Sequence, residues 1–182
     1  MRGAAARRSR GSVAAGVLAL ALAAPPLAAQ AGPAAEPGPA FLSGADFEWR
    51  LLRPDGTEFR LADLRGRVLF INVWASWCEP CTRELPGIEA LRDSVPGVEF
   101  LAISPEQPGR ARAWLEERRL DLPVYFEAGG RPAVLDLTMV PTTYVVDRAG
   151  AIVLVWRGAT DWDRPEPRAM LRALLDGPRP PP

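Results

Sequence analysis

Cys78 and Cys81 are the only cysteines in a chain of 182 residues that contains no histidine. They stand three positions apart in NVWASWCEPCTRELP, residues 72–86. A structural zinc site needs about four nitrogen or sulfur ligands, so two thiols supply half of one, short of a dimer sharing its ligands. Haem attachment needs a histidine straight after the second cysteine, where Thr82 stands. Copper held by thiolate and imidazole fails for want of histidine. No metal and no cofactor is therefore expected. A structural disulfide and a working redox couple remain. Closing so short a loop removes little entropy from the unfolded chain, which makes the pair a poor bolt. The spacing favours the redox couple.

The flanking elements point the same way. Val68–Val73 (VLFINV) is a nearly continuous apolar run rich in β-formers, the pattern of a strand buried on both faces. A helix is expected from about Pro80, with Leu85, Ile88 and Leu91 at three-residue spacing and Pro86 inside it. The cysteines thus fall where a buried strand ends and a helix begins, and in open α/β sheets sites collect at the carboxyl ends of strands. Cys78 at the helix N-terminus gains from the free backbone N–H groups and the positive dipole end, which favour a thiolate. It is the expected attacker, with Cys81 as the more buried resolving thiol. Pro80 costs little in the first helical turn. Glu79 acts in both directions, opposing a thiolate at Cys78 while suiting the dipole.

Upstream, Phe47–Leu51 and Glu58–Leu61 flank Arg53-Pro54-Asp55-Gly56, a hairpin signal. Downstream, strands are expected at Val98–Ile103 and Val124–Phe126, and a helix over Gly109–Arg119 packing through Trp114 and Leu115. Pro132–Leu137 reads as a small helical piece. Thr142–Val146 and Ile152–Trp156, separated by Asp147-Arg148-Ala149-Gly150, form a hairpin. Asp163 and Glu166 resemble a capping box for a last helix, which shows an apolar face of Met170, Leu171, Leu174 and Leu175 and stops at Gly177. Strands alternating with helices argue for an α/β fold with a parallel-rich core, and the closing hairpin makes the central sheet mixed.

The first 31 residues read as a targeting segment. Arg2, Arg7, Arg8 and Arg10 precede an apolar run, Val13–Ala24, then Pro25 and Pro26, with a small-residue cleavage site at Ala29-Gln30-Ala31. The apolar run is well short of the roughly 20 residues that span a bilayer, so a cleaved signal is favoured over an uncleaved membrane anchor. Export to the periplasm or another extracytoplasmic space is expected. Residues 32–43 read as a Pro/Ala-rich linker, 44–177 as one domain, and 178–182 as a frayed tail. All 22 basic residues are arginine. Without the leader's four, 18 basic residues face 22 acidic ones, which argues against a nucleic-acid partner. There is no internal repeat, and a monomer is expected.

With these residues in view, LFINVWASWCEPCTRELP resembles the active-site stretch of the thioredoxin superfamily, and most of all its TlpA-like and ResA-like extracytoplasmic thiol–disulfide oxidoreductases. The upstream LADLRGRV, the downstream MVPTTYVVDRAGAIV and the element order continue the likeness over about residues 44–176. The resemblance implies a thioredoxin fold, a central mixed sheet flanked by helices, here with an N-terminal β-hairpin extension. It implies that Cys78 and Cys81 are the nucleophilic and resolving cysteines. Pro141 matches a proline that is cis in the superfamily and lies against the cysteine pair. That bend would turn the Val140 backbone toward an extended peptide. Glu84 matches a glutamate found beside the active site in ResA-like members, a proton acceptor for Cys81 if buried, and otherwise an ordinary solvent-facing helix residue. Asn72 departs from cytosolic thioredoxins, which carry a buried aspartate there, so the thioredoxin-style base is missing and Glu84 gains weight. Trp77 either shields the thiolate or packs at the rim.

The expected function is reduction of disulfides in exported proteins. The resemblance suggests apocytochrome c among the disulfide-bearing client proteins, and a membrane thiol transporter as electron donor. The alternatives are the reverse chemistry, an oxidant or isomerase, and an interaction domain with an inert disulfide. A peroxiredoxin-type peroxidase fits less well, for no T-x-x-C-like motif stands at the strand end.

Overall fold

The computed structural model describes residues 41–177 apart from Ala45 and Pro54. The 1–31 leader, linker residues 32–40 and the 178–182 tail lie outside the described residues. In chain order the elements are β1 (Arg50–Leu52), β2 (Glu58–Arg60), β3 (Val68–Val73), α1 (Glu79–Ser94), β4 (Val98–Ser104), α2 (Pro108–Arg118), β5 (Val124–Gly129), β6 (Thr142–Val146), β7 (Ile152–Arg157) and α3 (Pro165–Asp176). Among the described residues, no helix is long and apolar enough to cross a membrane.

All seven strands join one sheet in the order β2-β1-β5-β4-β3-β6-β7. β3 runs parallel to β4 and antiparallel to β6, so the strand leading to the cysteines is paired along both edges. Every β3 residue is buried, which is what its nearly continuous apolar run requires. Side chains alternate across the sheet. Val68 and Phe70 join the layer that takes the buried residues of all three helices, while Leu69, Ile71 and Val73 join the opposite layer with Trp49, Leu61, Leu135 and Leu137. The same alternation aims Asn72, the one polar residue of β3, at the helical layer. This mixed α/β sheet with its packed helices is a thioredoxin fold, and the β1–β2 hairpin extends it by pairing β1 with β5.

Three local expectations are corrected. Phe47 is not in the first strand. Ser43 and Asp46 cap each other, with Ser43 N donating to Asp46 Oδ2 at 2.6 Å, and this closes a 3-10 turn over Asp46–Glu48 before β1 begins. Pro132–Leu137 is not helical. A single turn closes where Leu135 N donates to Pro132 O (3.1 Å); beyond it Leu135 and Leu137 are buried on either side of exposed Asp136, and Tyr144 Oη holds both Asp136 N (2.9 Å) and Asp136 O (3.1 Å). The Asp163–Glu166 capping box does not form. The cap position is Arg164 and makes no side-chain bond, while Asp163 Oδ1 accepts from Arg168 Nη2 at 3.2 Å. Pro165 sits in the first turn, where its fixed φ suits a helix start.

Candidate active site

β3 delivers the chain to the site. Past its end, Trp74 N donates to Ile103 O (3.0 Å), which extends the β3–β4 pairing by one residue. The chain then turns through Ala75, whose carbonyl accepts from Cys78 N at 3.1 Å. Cys78 is the N-cap of α1, and its Sγ accepts from Cys81 N at 3.3 Å. A sulfur placed to receive a helix-terminal N–H is placed to be stabilised as a thiolate. Cys78 and Cys81 are joined as a disulfide with their Cα atoms 5.2 Å apart. Cys78 is 7% exposed and Cys81 fully buried, so the first sulfur is the less covered of the two.

α1 buries Cys81, Glu84, Leu85, Ile88 and Leu91 along one face. A glutamate on that stripe needs partners, and Glu84 has three. Its Oε1 accepts from Asn72 Nδ2 at 2.9 Å, and its Oε2 from Thr160 N and Trp162 Nε1, each at 3.1 Å. Gly87, one turn along α1, lets the loop after β7 approach closely: a Cβ there would meet Asp163 N at 3.4 Å and Trp162 N at 3.5 Å. Burial drives the Glu84 carboxyl upward, the three donated bonds pull it back, and the balance sets its pKa at about 7. A cavity of about 400 Å³ lined by Arg83, Glu84, Gly87, Thr160, Asp161 and Trp162 opens beside it. Glu84 is thus a buried carboxyl, its pKa raised to about 7, on the same helix face as the buried cysteine. It is not the solvent-facing helix residue that the sequence alone leaves open.

Val140–Pro141 is a cis peptide, and Val140 packs against the apolar cluster that contains both cysteines. Pro141 O accepts from Gly158 N at 2.9 Å, and Thr142 Oγ1 donates to Met139 O at 2.9 Å, which fixes the loop on both sides of the proline. Trp77 is 62% exposed and is not among the side chains of this cluster. Cys78 and Cys81 are thus joined within the apolar cluster that Val140 packs against, Glu84 sits further along α1, and Trp77 is exposed.

Sequence reasoning missed Thr160, Trp162, Thr143 and Glu106. Thr160 and Trp162 lie 76 and 78 residues from Glu84. Thr143 Oγ1 accepts the second Asn72 Nδ2 hydrogen at 2.9 Å, across the β3–β6 pair. Glu106 holds Ser76 from the end of β4. A visible signal did exist for Glu84, since it continues the Leu85, Ile88, Leu91 stripe backward toward Cys81.

Comparison with known proteins agrees with this geometry. A Bacillus subtilis thioredoxin-like protein, YneN, is 30% identical over 113 residues, covering 59% of this chain and 65% of that protein. The thiol–disulfide oxidoreductase ResA of Geobacillus thermodenitrificans is 33% identical over 110 residues, covering 57% of this chain and 62% of ResA. The chain thus spans just under two thirds of the length of these curated relatives. The solved structure of MTB dsbF, in its mixed oxidized and reduced forms, superposes with a TM-score of 0.62 at 24% identity, over 71% of this chain and 97% of dsbF. At that identity the likeness shows the fold. The AhpC/TSA family model matches residues 44–155, which include the cysteine pair, Glu84 and Pro141, and the chain belongs to this family.

Proposed function

We propose that the protein is an exported thiol–disulfide oxidoreductase that reduces disulfides of client proteins through Cys78 and Cys81. The observation that carries this is the pairing of a helix-capping, less covered Cys78 with a buried Cys81 that shares its helix face with the poised Glu84. The names of the relatives support it, as thiol–disulfide oxidoreductase is what ResA is called.

In the reduced protein the Cys78 thiolate attacks one sulfur of the client disulfide. The client S–S bond breaks, a Cys78–client bond forms, and the other client sulfur leaves as thiolate. Cys81 gives its proton to the Glu84 carboxylate and attacks Cys78 Sγ, forming the intramolecular disulfide and expelling the second client thiolate. Two electrons have passed to the client. The resulting Cys78–Cys81 disulfide must then be reduced by a donor dithiol, for which a membrane thiol transporter is the proposed source. The resemblance to TlpA-like and ResA-like proteins supports apocytochrome c as a client before haem attachment. The arginine-rich, apolar leader supports an extracytoplasmic location.

The test is Cys81→Ser offered a synthetic peptide whose CxxCH cysteines form a disulfide. A mixed disulfide with Cys78 should accumulate and be released by dithiothreitol, and Cys78→Ser/Cys81→Ser should form none. If the single variant forms none either, the disulfide is inert and the reading is wrong.

A further inference from the structure

Glu106 has no part in the chemistry above, yet its carboxylate is one of the best-held groups in the molecule. Its side chain is 6% exposed. Its Oε2 accepts from Ser76 N at 2.6 Å and its Oε1 from Ser76 Oγ at 2.8 Å. Ser104 Oγ donates to Oε2 at 3.3 Å and in turn accepts from Glu106 N at 3.2 Å. Arg110 Nε lies 3.4 Å from Oε1 on the exposed side. A carboxylate that takes both the backbone and the hydroxyl proton of one serine fixes that residue's position and orientation together.

Ser76 is the residue before Trp77. Cys78 on the far side is secured independently, by Ala75 O, by its place at the head of α1 and by packing in the apolar cluster. Trp77 has no such support. Only Phe41, Trp77 and Met139 are exposed large apolar side chains among the described residues. Trp77 adjoins the attacking cysteine and Met139 adjoins the Val140–Pro141 peptide. A tryptophan at 62% exposure beside the attacking cysteine is a large amphipathic surface available to a bound partner.

We infer that Glu106 is a positioning residue that anchors Ser76 so that Trp77 stands out as a contact for clients whose cysteines are flanked by exposed apolar side chains. This rests on the oxidoreductase reading and names its substrate class: disulfides in chain segments that display apolar residues, as unfolded proteins do. Glu106 touches neither sulfur nor client. It acts through Trp77, with Met139 as the second apolar contact.

The experiment compares the rate of reduction of two disulfide peptides by the reduced protein, one with leucines and one with serines flanking the cysteines. Wild type should prefer the leucine peptide. Glu106→Ala should cut that preference about tenfold through KM, and Glu106→Gln should restore most of it, because an amide can accept from Ser76 N and donate to Ser76 Oγ. Trp77→Ala should remove the same preference, and Glu106→Ala/Trp77→Ala should lose no more than Trp77→Ala alone, the non-additivity of residues acting as a unit. If Glu106→Ala does not fold, Ser76→Ala serves as the weaker probe of the same anchor, with about a threefold loss expected. Equal loss on both peptides, additive losses in the double variant, or no preference in wild type would each overturn the inference. If wild type reduces neither peptide, the oxidoreductase reading has failed instead.

Discussion

The Nδ2 atom of Asn72, on the central strand, donates at 2.9 Å to Glu84 Oε1 on the helix that carries both cysteines. Both residues are almost fully buried, at 1% and 4% exposure, and the Asn72 Oδ1 atom beside this bond has no partner. In its ionised form Glu84 is surrounded by donors alone. In its protonated form it has a hydrogen to give, and a reversed Asn72 amide would present the idle oxygen to take it while Thr143 supplies its hydroxyl hydrogen. Asn72 can thus meet Glu84 in either protonation state without moving the backbone. That is what a residue must do if it accepts a proton from a thiol and returns it to solvent.

Glu84 also makes stability depend on pH, with a sign fixed by the direction of its shift. Its folded pKa of about 7 lies above the ordinary 4.5, so between those values the folded protein binds more protons than the unfolded chain. Stability contributed by this group is full below about pH 4.5 and is lost as pH rises through 7, by about 3 kcal/mol in all. Glu84→Gln should flatten that part of the profile in urea unfolding at pH 5 and pH 8. The amide keeps an acceptor for Thr160 and Trp162 and can pair with Asn72, so the variant should fold. Its turnover should nonetheless fall about 100-fold, the scale of general acid–base catalysis. An unchanged rate would end the proton-relay role.

Asn72→Asp places a second carboxylate in hydrogen-bond range of Glu84. Two buried carboxylates this close cannot both ionise, so the pair must hold a proton in common. The variant should be destabilised by about 3 kcal/mol at pH 8, the scale for a buried charge without compensation. It should recover most of that at pH 5, where the shared proton is freely supplied. Melting temperatures at the two pH values check this. An equal loss at both would mean that packing, not charge, excludes aspartate here.

Much of this architecture is legible in the chain. The VLFINV run identifies β3 because five apolar residues in six call for a strand covered on both faces, and the cysteine spacing identifies the site. Partners brought together across the fold are not legible. Nothing local ties Glu84 to Thr160 and Trp162, or Ser76 to Glu106 thirty residues later. The misread Pro132–Leu137 shows the same limit in reverse. One turn does close from Pro132 to Leu135, but Tyr144 then holds Asp136 by both backbone groups and Leu135 and Leu137 are buried on either side of it, so no helix continues. Tertiary bonds overrode a weak local preference.

Trp162→Phe isolates one of the three bonds to Glu84. Phenylalanine keeps the edge contact with Phe70, whose ring centroid lies 5.0 Å away, but removes the Nε1 donor. Losing a donor to the ionised form leaves burial less opposed, so the Glu84 carboxyl should rise further above 7. The expected result is a pH–rate profile whose acidic limb moves to higher pH, with little change in the plateau. A profile that moves the other way would show that Trp162 does not stabilise the carboxylate.

The direction of electron flow turns on the reduction potential of the Cys78–Cys81 pair. The reduced state gains from the helix-terminal N–H groups around Cys78, and a stabilised thiolate raises the potential toward that of an oxidant. Two features act against this. Glu79, the first residue of α1, places an exposed negative charge next to Cys78, and burial of Cys81 disfavours a second thiolate. The expected value is therefore near that of thioredoxin, about −270 mV or lower, measured by equilibration against defined thiol buffers. Such a protein can reduce clients only while a donor keeps it reduced. A value near about −120 mV would make the pair a disulfide-installing oxidant and reverse the proposed direction. Glu79→Gln then tests the cause: removing the charge should raise the potential, and an unchanged or lower value would show that the Glu79 charge does not oppose the thiolate.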